Sequence, residues 1–173
     1  MSGPVITLDN QEDLTLDGIK QFYLPLEQEN CKLDSLMKLY KTLTTEQTII
    51  FCNTIRKVEF LIHELKSRHF EVVTPYEEMI WKEREDIMEK FRSGSAKILV
   101  TLDTFARGID VEGVSVVINY DIPKDKENYL HRIGRSGRFG SKIIVINFVN
   151  TNSDELTTLL EIEKFYQTQI KEF

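Results

Sequence analysis

Short apolar runs rich in valine and isoleucine, separated by amphipathic stretches, predict an α/β protein with a mainly parallel, twisted β-sheet and helices on both faces. Two features of the runs carry that reading. They are apolar at consecutive positions, as strands buried on both sides must be, and they alternate with segments whose apolar residues recur at helical spacing.

Residues 1–13 are polar, contain Gly3 and Pro4 and show no sustained periodicity. They read as an interdomain linker or an added arm, with the folded domain spanning residues 14–173. The first strand is expected at Gln21–Leu26 and the second at Thr48–Cys52. Between them Leu33, Leu36, Met37, Tyr40 and Leu43 share one helical face. Val58, Leu61, Ile62 and Leu65 mark the next helix, and Thr54, between strand and helix, is placed to cap it. Further strands are expected at Phe70–Thr74, Lys97–Thr101, Ser115–Asn119 and Ile143–Val149, with helices at about Lys82–Phe91, Lys126–Ile133 and Asp154–Gln169. In such sheets ligands sit beyond the carboxyl ends of the strands, which singles out the segments after Cys52, Thr101 and Asn119.

At 173 residues, with 41% hydrophobic and 29% charged residues, the chain is expected to form one globular domain with a real core. No apolar run approaches the roughly 18 residues that span a bilayer, and the N-terminus lacks signal-peptide features. A soluble intracellular protein without membrane contact is therefore expected, in the cytoplasm or the nucleus, with the cytoplasm first. Cys31 and Cys52 form no CxxC pair, and His63, His69 and His131 are scattered, so neither a zinc site nor a disulfide is expected. The net charge of −6 is peripheral: residues 1–30 hold six acids and one base, and residues 151–173 hold five acids and two bases. The rest of the chain carries +2, and His131 to Lys142 contains Arg132, Arg135, Arg138 and Lys142 without an acid.

That basic segment, His131-Arg132-Ile133-Gly134-Arg135-Ser136-Gly137-Arg138, is the most informative one. A helix ending near Gly134 puts His131 and Arg135 on one face, and the glycines let the chain turn so that Arg138 points the same way. Converging guanidiniums suit a cluster of phosphate oxygens, where arginine fingers neutralise charge developing at a γ-phosphate. The plainer alternative is a helix C-terminus whose basic side chains balance the macrodipole. Thr101-Leu102-Asp103-Thr104-Phe105-Ala106-Arg107-Gly108-Ile109-Asp110 follows a buried strand. Its hydroxyls, arginine and glycine suit close approach to a sugar-phosphate backbone, with Asp110 able to accept from a ribose. The plainer alternative is an ordinary loop in which Asp103 caps a short helix.

Read together, the strings LTLDGIKQFY, IIFCNT, RKVEFL, KEREDIM, FRSGSAKILVT, ARGID, VINYDIP, ENYLHRIGRSGRFG and INFV resemble the C-terminal RecA-like domain of DEAD-box ATP-dependent RNA helicases, in the branch of initiation factor 4A and its exon-junction paralogue. The resemblance covers some nine-tenths of the chain, and IIFCNT, TLDTFARGID and HRIGRSGR correspond to the family's motifs IV, V and VI. It implies that Arg135 and Arg138 are catalytic and reach the ATP γ-phosphate across a domain cleft, and that Asp110 contacts the ribose. It places His131 at the interface with a first domain, and Phe51 against motif VI, holding its arginines. For RNA it implies Asn53, Thr54, Thr101, Arg107 and Gly108, with Arg84, Arg92 and Gly94 near the path. Contact through phosphates and 2′-hydroxyls implies little sequence preference and a strong salt dependence.

One segment departs from the family: Tyr76-Glu77-Glu78, then Trp81, stand where His-Gly-Asp and a glutamine are usual, while Lys82, Glu83 and Arg84 are retained. The chain also contains no GxxxxGK[ST] and no Asp-Glu-Ala-Asp, so nothing in it cradles β- and γ-phosphates or holds Mg²⁺. The resemblance places those elements on a preceding domain. ATP and Mg²⁺ are thus expected to be used by the full-length protein and not held by this domain alone, which is expected to be inactive by itself. The expected partners are RNA, the N-terminal RecA-like domain of the same protein and a scaffold resembling initiation factor 4G. The expected role is translation initiation or mRNA processing. The alternative function is a non-catalytic, helicase-like scaffold that docks proteins.

Overall fold

The computed structural model describes residues 6–7, 13–14, 16, 18–43, 47–75, 80–106, 114–133 and 143–173. Two short strands, β1 (Ile6–Thr7) in the expected linker or arm and β2 (Asp13–Leu14) at its boundary with the domain, pair antiparallel. Strands and helices then alternate: β3 (Ile19–Leu26), α1 (Cys31–Thr42), β4 (Gln47–Phe51), α2 (Ile55–Ser67), β5 (Val72–Val73), α3 (Trp81–Arg92), β6 (Ile98–Thr101), α4 (Asp103–Ala106), β7 (Val114–Asn119), α5 (Lys126–Ile133), β8 (Ile143–Asn150), α6 (Glu155–Phe165) and β9 (Ile170–Glu172). The last seven strands form one sheet in the order β5-β6-β4-β7-β8-β3-β9, with every neighbouring pair parallel. Among the described residues no helix is long and apolar enough to cross a membrane.

The consecutive apolar residues of each strand divide between two cores, because successive side chains point to opposite faces. Ile49, Leu99, Val117 and Val145 meet α3, α5 and α6 through Phe91, Ile133 and Ile162. Ile50, Val100, Ile118 and Ile146 meet α1 and α2 through Leu36, Leu61 and Leu65. At the start of α2, Thr54 is extended (φ −133°, ψ 149°) and its Oγ1 accepts from the Lys57 amide at 3.2 Å, the expected cap.

Two expected elements differ. The strand at Phe70–Thr74 shrinks to Val72–Val73, at the edge of the sheet. The last helix stops at Phe165 instead of Gln169, because Gln167 adopts φ 50° and turns the chain into β9. Ile170 then pairs with Gln21 of β3 and is buried in the core, so an apolar residue that fits a helical stripe serves a strand.

Two polar systems run through these cores. In the first, Gln21 Nε2 donates to Thr168 Oγ1 (2.7 Å), Tyr129 Oη donates to Gln21 Oε1 (2.7 Å), Asn147 Nδ2 donates to Tyr129 Oη (3.2 Å), and Asn119 Nδ2 donates to Asn147 Oδ1 (2.7 Å). It ties the start of β9 to β3, α5, β8 and β7, and each buried polar group finds a partner in it. In the second, the fully buried Lys32 ammonium meets Glu29 (3.0 Å), Glu155 (3.0 Å) and Asp121 (3.5 Å), fastening α1 to the turn after β7 and the start of α6. Replacing Lys32 by methionine is expected to cost about 3–5 kcal/mol, the range for removing one member of a buried ion pair. The measurement is urea unfolding. A loss below about 1 kcal/mol would mean that these pairs act like solvent-exposed ones.

Candidate functional site

After β4 the chain crosses to the far edge to form β5, returns to make β6 beside β4, and then crosses to the other side of β4 to make β7. The carboxyl end of β4, between those of β6 and β7, is therefore the topological switch point, where open α/β sheets bind ligands. Three segments meet there: Cys52–Thr54 after β4, Leu102–Asp103 after β6, and Tyr120–Ile122 after β7.

Arg132, on the last turn of α5, joins all three. Its Nε and Nη2 donate to the two oxygens of Asp103 at 2.5 and 2.8 Å. Nη1 donates to Asn119 Oδ1 (3.2 Å) and the Asp121 carbonyl (2.7 Å), and Nη2 also donates to Asn53 Oδ1 (2.7 Å). Those five bonds use all five guanidinium donors. The plane lies 5.2 Å from the Phe51 ring centre, and the residue is only 3% exposed. Asp103 heads the short helix α4, as the plainer reading of that loop expects, but its carboxylate is occupied by Arg132.

Asp121 extends the site towards α1 and α2. One carboxylate oxygen receives Lys57 Nζ at 2.5 Å and the other receives the backbone N–H of Asn53 at 2.8 Å. Glu29 accepts from Lys57 at 2.8 Å. Burial pushes the Glu29 carboxyl up, but hydrogen bonds from Lys57 and Lys32 outweigh it and hold the group below its usual range. Burial likewise opposes the Lys57 charge, and its bonds to Asp121 and Glu29 win, raising its pKa. Cys52 is the opposite case: burial, reinforced by the Asp121 charge, pushes its thiol far up, so it stays protonated and unreactive. Among the described residues no group of His, Cys, Asp and Glu is arranged to hold a metal ion.

The expected site residues that the structure describes separate into three groups. Phe51 is buried against Arg132 of the HRIGRSGR string, His131 is half-buried on the same helical turn, and Thr54 is exposed at the strand-end rim. Arg84, half-buried, stands on the first turn of α3, the end of that helix nearest the same rim. Asn53 and Thr101 are at the expected place but face inward. Asn53 Nδ2 donates to the Ile122 carbonyl (2.8 Å) and its Oδ1 accepts from Arg132, while Thr101 is fully buried and its Oγ1 donates to the Leu102 carbonyl (3.1 Å).

Arg92 and Gly94 lie elsewhere. They close α3 at the amino edge of the sheet, where Gln47, the first residue of β4, donates to the Phe91 carbonyl. Gly94 has φ +82°, a conformation that favours glycine, and Arg92 pairs with Glu85 and Glu89. A twelve-residue helix is about 18 Å long, so this end is remote from the switch point. Arg107, Gly108, Asp110, Arg135 and Arg138 lie outside the described residues, as do Tyr76, Glu77 and Glu78. Arg132, Asp121, Lys32 and Lys57 are the site residues that sequence reasoning missed. For Arg132 a signal existed, since it stands among Tyr129, Leu130 and Ile133, the buried stripe of α5.

Residues 31–140 match the family described as helicase conserved C-terminal domain. Over 172 residues, 99% of the chain, the sequence is 54% identical to a protein of Mycosarcoma maydis named ATP-dependent RNA helicase eIF4A. It is 52% identical over the same length to one of that organism named ATP-dependent RNA helicase FAL1. It covers 41% and 43% of those proteins, so the chain spans about two fifths of the length of these curated relatives. Among solved structures, S. cerevisiae Dbp5 bound to RNA and ADP BeF3 superposes with a TM-score of 0.84 at 37% identity, covering 91% of this chain and 42% of that one. The C-terminal domain of the DEAD-box protein Dbp5 gives 0.83 at 36% identity, covering 91% of each chain.

Because Arg132 is a planar fork with every donor used, charge alone cannot replace it. Arg132→Lys is expected to lose about 1–3 kcal/mol of stability through unpaired acceptors, and Arg132→Met about 3–5 kcal/mol. Urea unfolding of the two variants measures both. Equal stability of Arg132→Lys and the native chain would contradict a fork-specific role.

Proposed function

The chain belongs to the helicase C-terminal domain family, as a RecA-like C-terminal domain of the DEAD-box RNA helicases, and from that premise we propose that it supplies arginine fingers to an ATP molecule held on a partner domain. The observation that carries the reading is the anchoring of Arg132 at the switch point of the sheet. Arg135 follows it by three residues and Arg138 by six, so an extended chain can carry them no more than about 11 and 21 Å away. Asp110 contacts the ribose in this reading, and His131 faces the N-terminal RecA-like domain of the same protein. Phe51, stacked on Arg132, keeps the fingers' base in place. Mg²⁺ and the phosphate cradle belong to that other domain.

RNA runs over the same rim, contacted through its backbone by Thr54, Arg84, Arg107 and Gly108. Asn53 and Thr101 act as inward supports of that surface, and Arg92 and Gly94 are left out of it because of their place at the opposite edge. Closure of the two domains around ATP and RNA drives RNA-stimulated ATP hydrolysis, with local duplex unwinding or clamping on a single strand as the result. The work belongs to translation initiation or mRNA processing, in the cytoplasm or the nucleus, with a scaffold resembling initiation factor 4G as a partner.

A second reading, a helicase-like scaffold that docks proteins without turnover, is favoured by one observation. Ile80 and Trp81, at the head of α3, are 64% and 79% exposed, and an exposed tryptophan suits a protein anchor.

RNA-stimulated ATP hydrolysis by the protein joined to its first domain distinguishes the two. Arg138→Ala is expected to reduce turnover by roughly three orders of magnitude or more, as loss of an arginine finger does. Absence of turnover in the unaltered protein with any RNA would hand the function to the scaffold reading.

A further inference from the structure

The sheet ends at β5, which pairs on one side with β6 and has no strand partner on the other among the described residues. Along that open edge runs a groove of about 540 Å³. Its floor is Val72 and Val73 of β5, and its walls are Ile62 and Lys66 of α2 on one face of the sheet and Ile87 and Lys90 of α3 on the other. Both lysines are exposed, and neither ammonium makes an ion pair among the described residues. Thr74, at the carboxyl end of β5, lines the groove with a buried hydroxyl that has no hydrogen-bond partner among the described residues. An unpaired strand edge presents backbone donors and acceptors that an extended peptide can satisfy, with flanking walls that select its side chains.

The walls repeat one pattern. α2 and α3 both run antiparallel to β5, so each wall offers an isoleucine nearer the carboxyl end of the strand and a lysine nearer its amino end. Ile62 to Lys66 is four residues and Ile87 to Lys90 three, about 6 and 4.5 Å along a helix. Two residues of a strand rise about 6.6 Å, and successive side chains point to opposite faces. A strand added antiparallel to β5 thus puts two consecutive residues against Ile62 and Ile87, and the next two against Lys66 and Lys90. Glu71, at the same end, leaves the groove with one positive charge in excess.

We propose that this edge groove binds an extended segment of a partner protein as an added strand, selecting two consecutive β-branched or other apolar residues followed by two consecutive acidic residues. The recognition needs neither ATP nor RNA and is independent of the helicase reading. A nucleic acid fits it less well, because its backbone cannot continue a β-ladder over an apolar floor.

The test is fluorescence anisotropy of this chain with a labelled, end-blocked peptide Ser-Val-Ile-Asp-Glu-Ser, compared with the same composition ordered Ser-Asp-Val-Glu-Ile-Ser, which sends both acids to one wall. Binding of the first peptide is expected to be at least about tenfold tighter, and the exposed double substitution K66E/K90E is expected to weaken it by at least about tenfold, the ratio that 1.4 kcal/mol sets. Amide chemical-shift changes should centre on Val72 and Val73. No binding at millimolar peptide, equal affinity for the two orders, indifference to K66E/K90E, or shifts centred elsewhere would each overturn the proposal.

Discussion

A buried arginine with every donor occupied is the constraint on which the strand-end region depends. Removing a guanidinium from water is costly, and in Arg132 the cost is offset only because one carboxylate, two side-chain amides and one backbone carbonyl converge on it. Those acceptors come from the segments after β4 and β6 and from the end of β7 and the turn beyond it, brought side by side by the order of the sheet. The bond set therefore forms only when the strands are in register and α5 is docked, and it disfavours any slipped arrangement that would leave a charge buried without a partner.

The same logic spreads from this centre in both directions. Asn119 hands the network to Asn147, Tyr129, Gln21 and Thr168, which lets the last strand of the sheet sense the position of α5. Asp121 hands it to Lys57 and Lys32, and through Lys32 to Glu155 at the start of α6. Parallel sheets lack hairpins to fix neighbouring strands, so long-range side-chain bonds of this kind take over part of the work of specifying register. The chemistry proposed for the domain uses the stiffness that results: fingers a few residues beyond Arg132 start from a fixed base.

What the sequence made legible follows from what patterns report. Runs such as Thr48–Cys52 and Ile143–Val149 announce strands because both faces are buried, and α5 falls on the expected Lys126–Ile133 because Tyr129, Leu130 and Ile133 form a buried stripe at helical spacing. β9 was hidden, since Ile170 continues the apolar spacing of α6 and only the positive φ of Gln167 breaks it. The strand-end location of the site was legible from the alternation of elements alone. Its inner organisation was not. Arg132 reads as one more charge in a basic segment, and Asn53 and Thr101 read as RNA contacts implied by the family resemblance, because residue type does not disclose which partner across the sheet a side chain will meet. Arg92 shows the complementary limit: it ends α3 beside the start of β4, and nearness in a family string does not disclose which edge of the sheet a residue occupies.

The most direct measurement of the central claim is the hydrogen exchange of arginine Nε–H groups, followed by NMR in deuterated buffer. A guanidinium buried and bonded at all five donors predicts that the Arg132 Nε–H signal persists after that of the exposed Arg56 has gone. Exchange of Arg132 as fast as Arg56 would mean that the fork is open to water and does not hold the strand ends together.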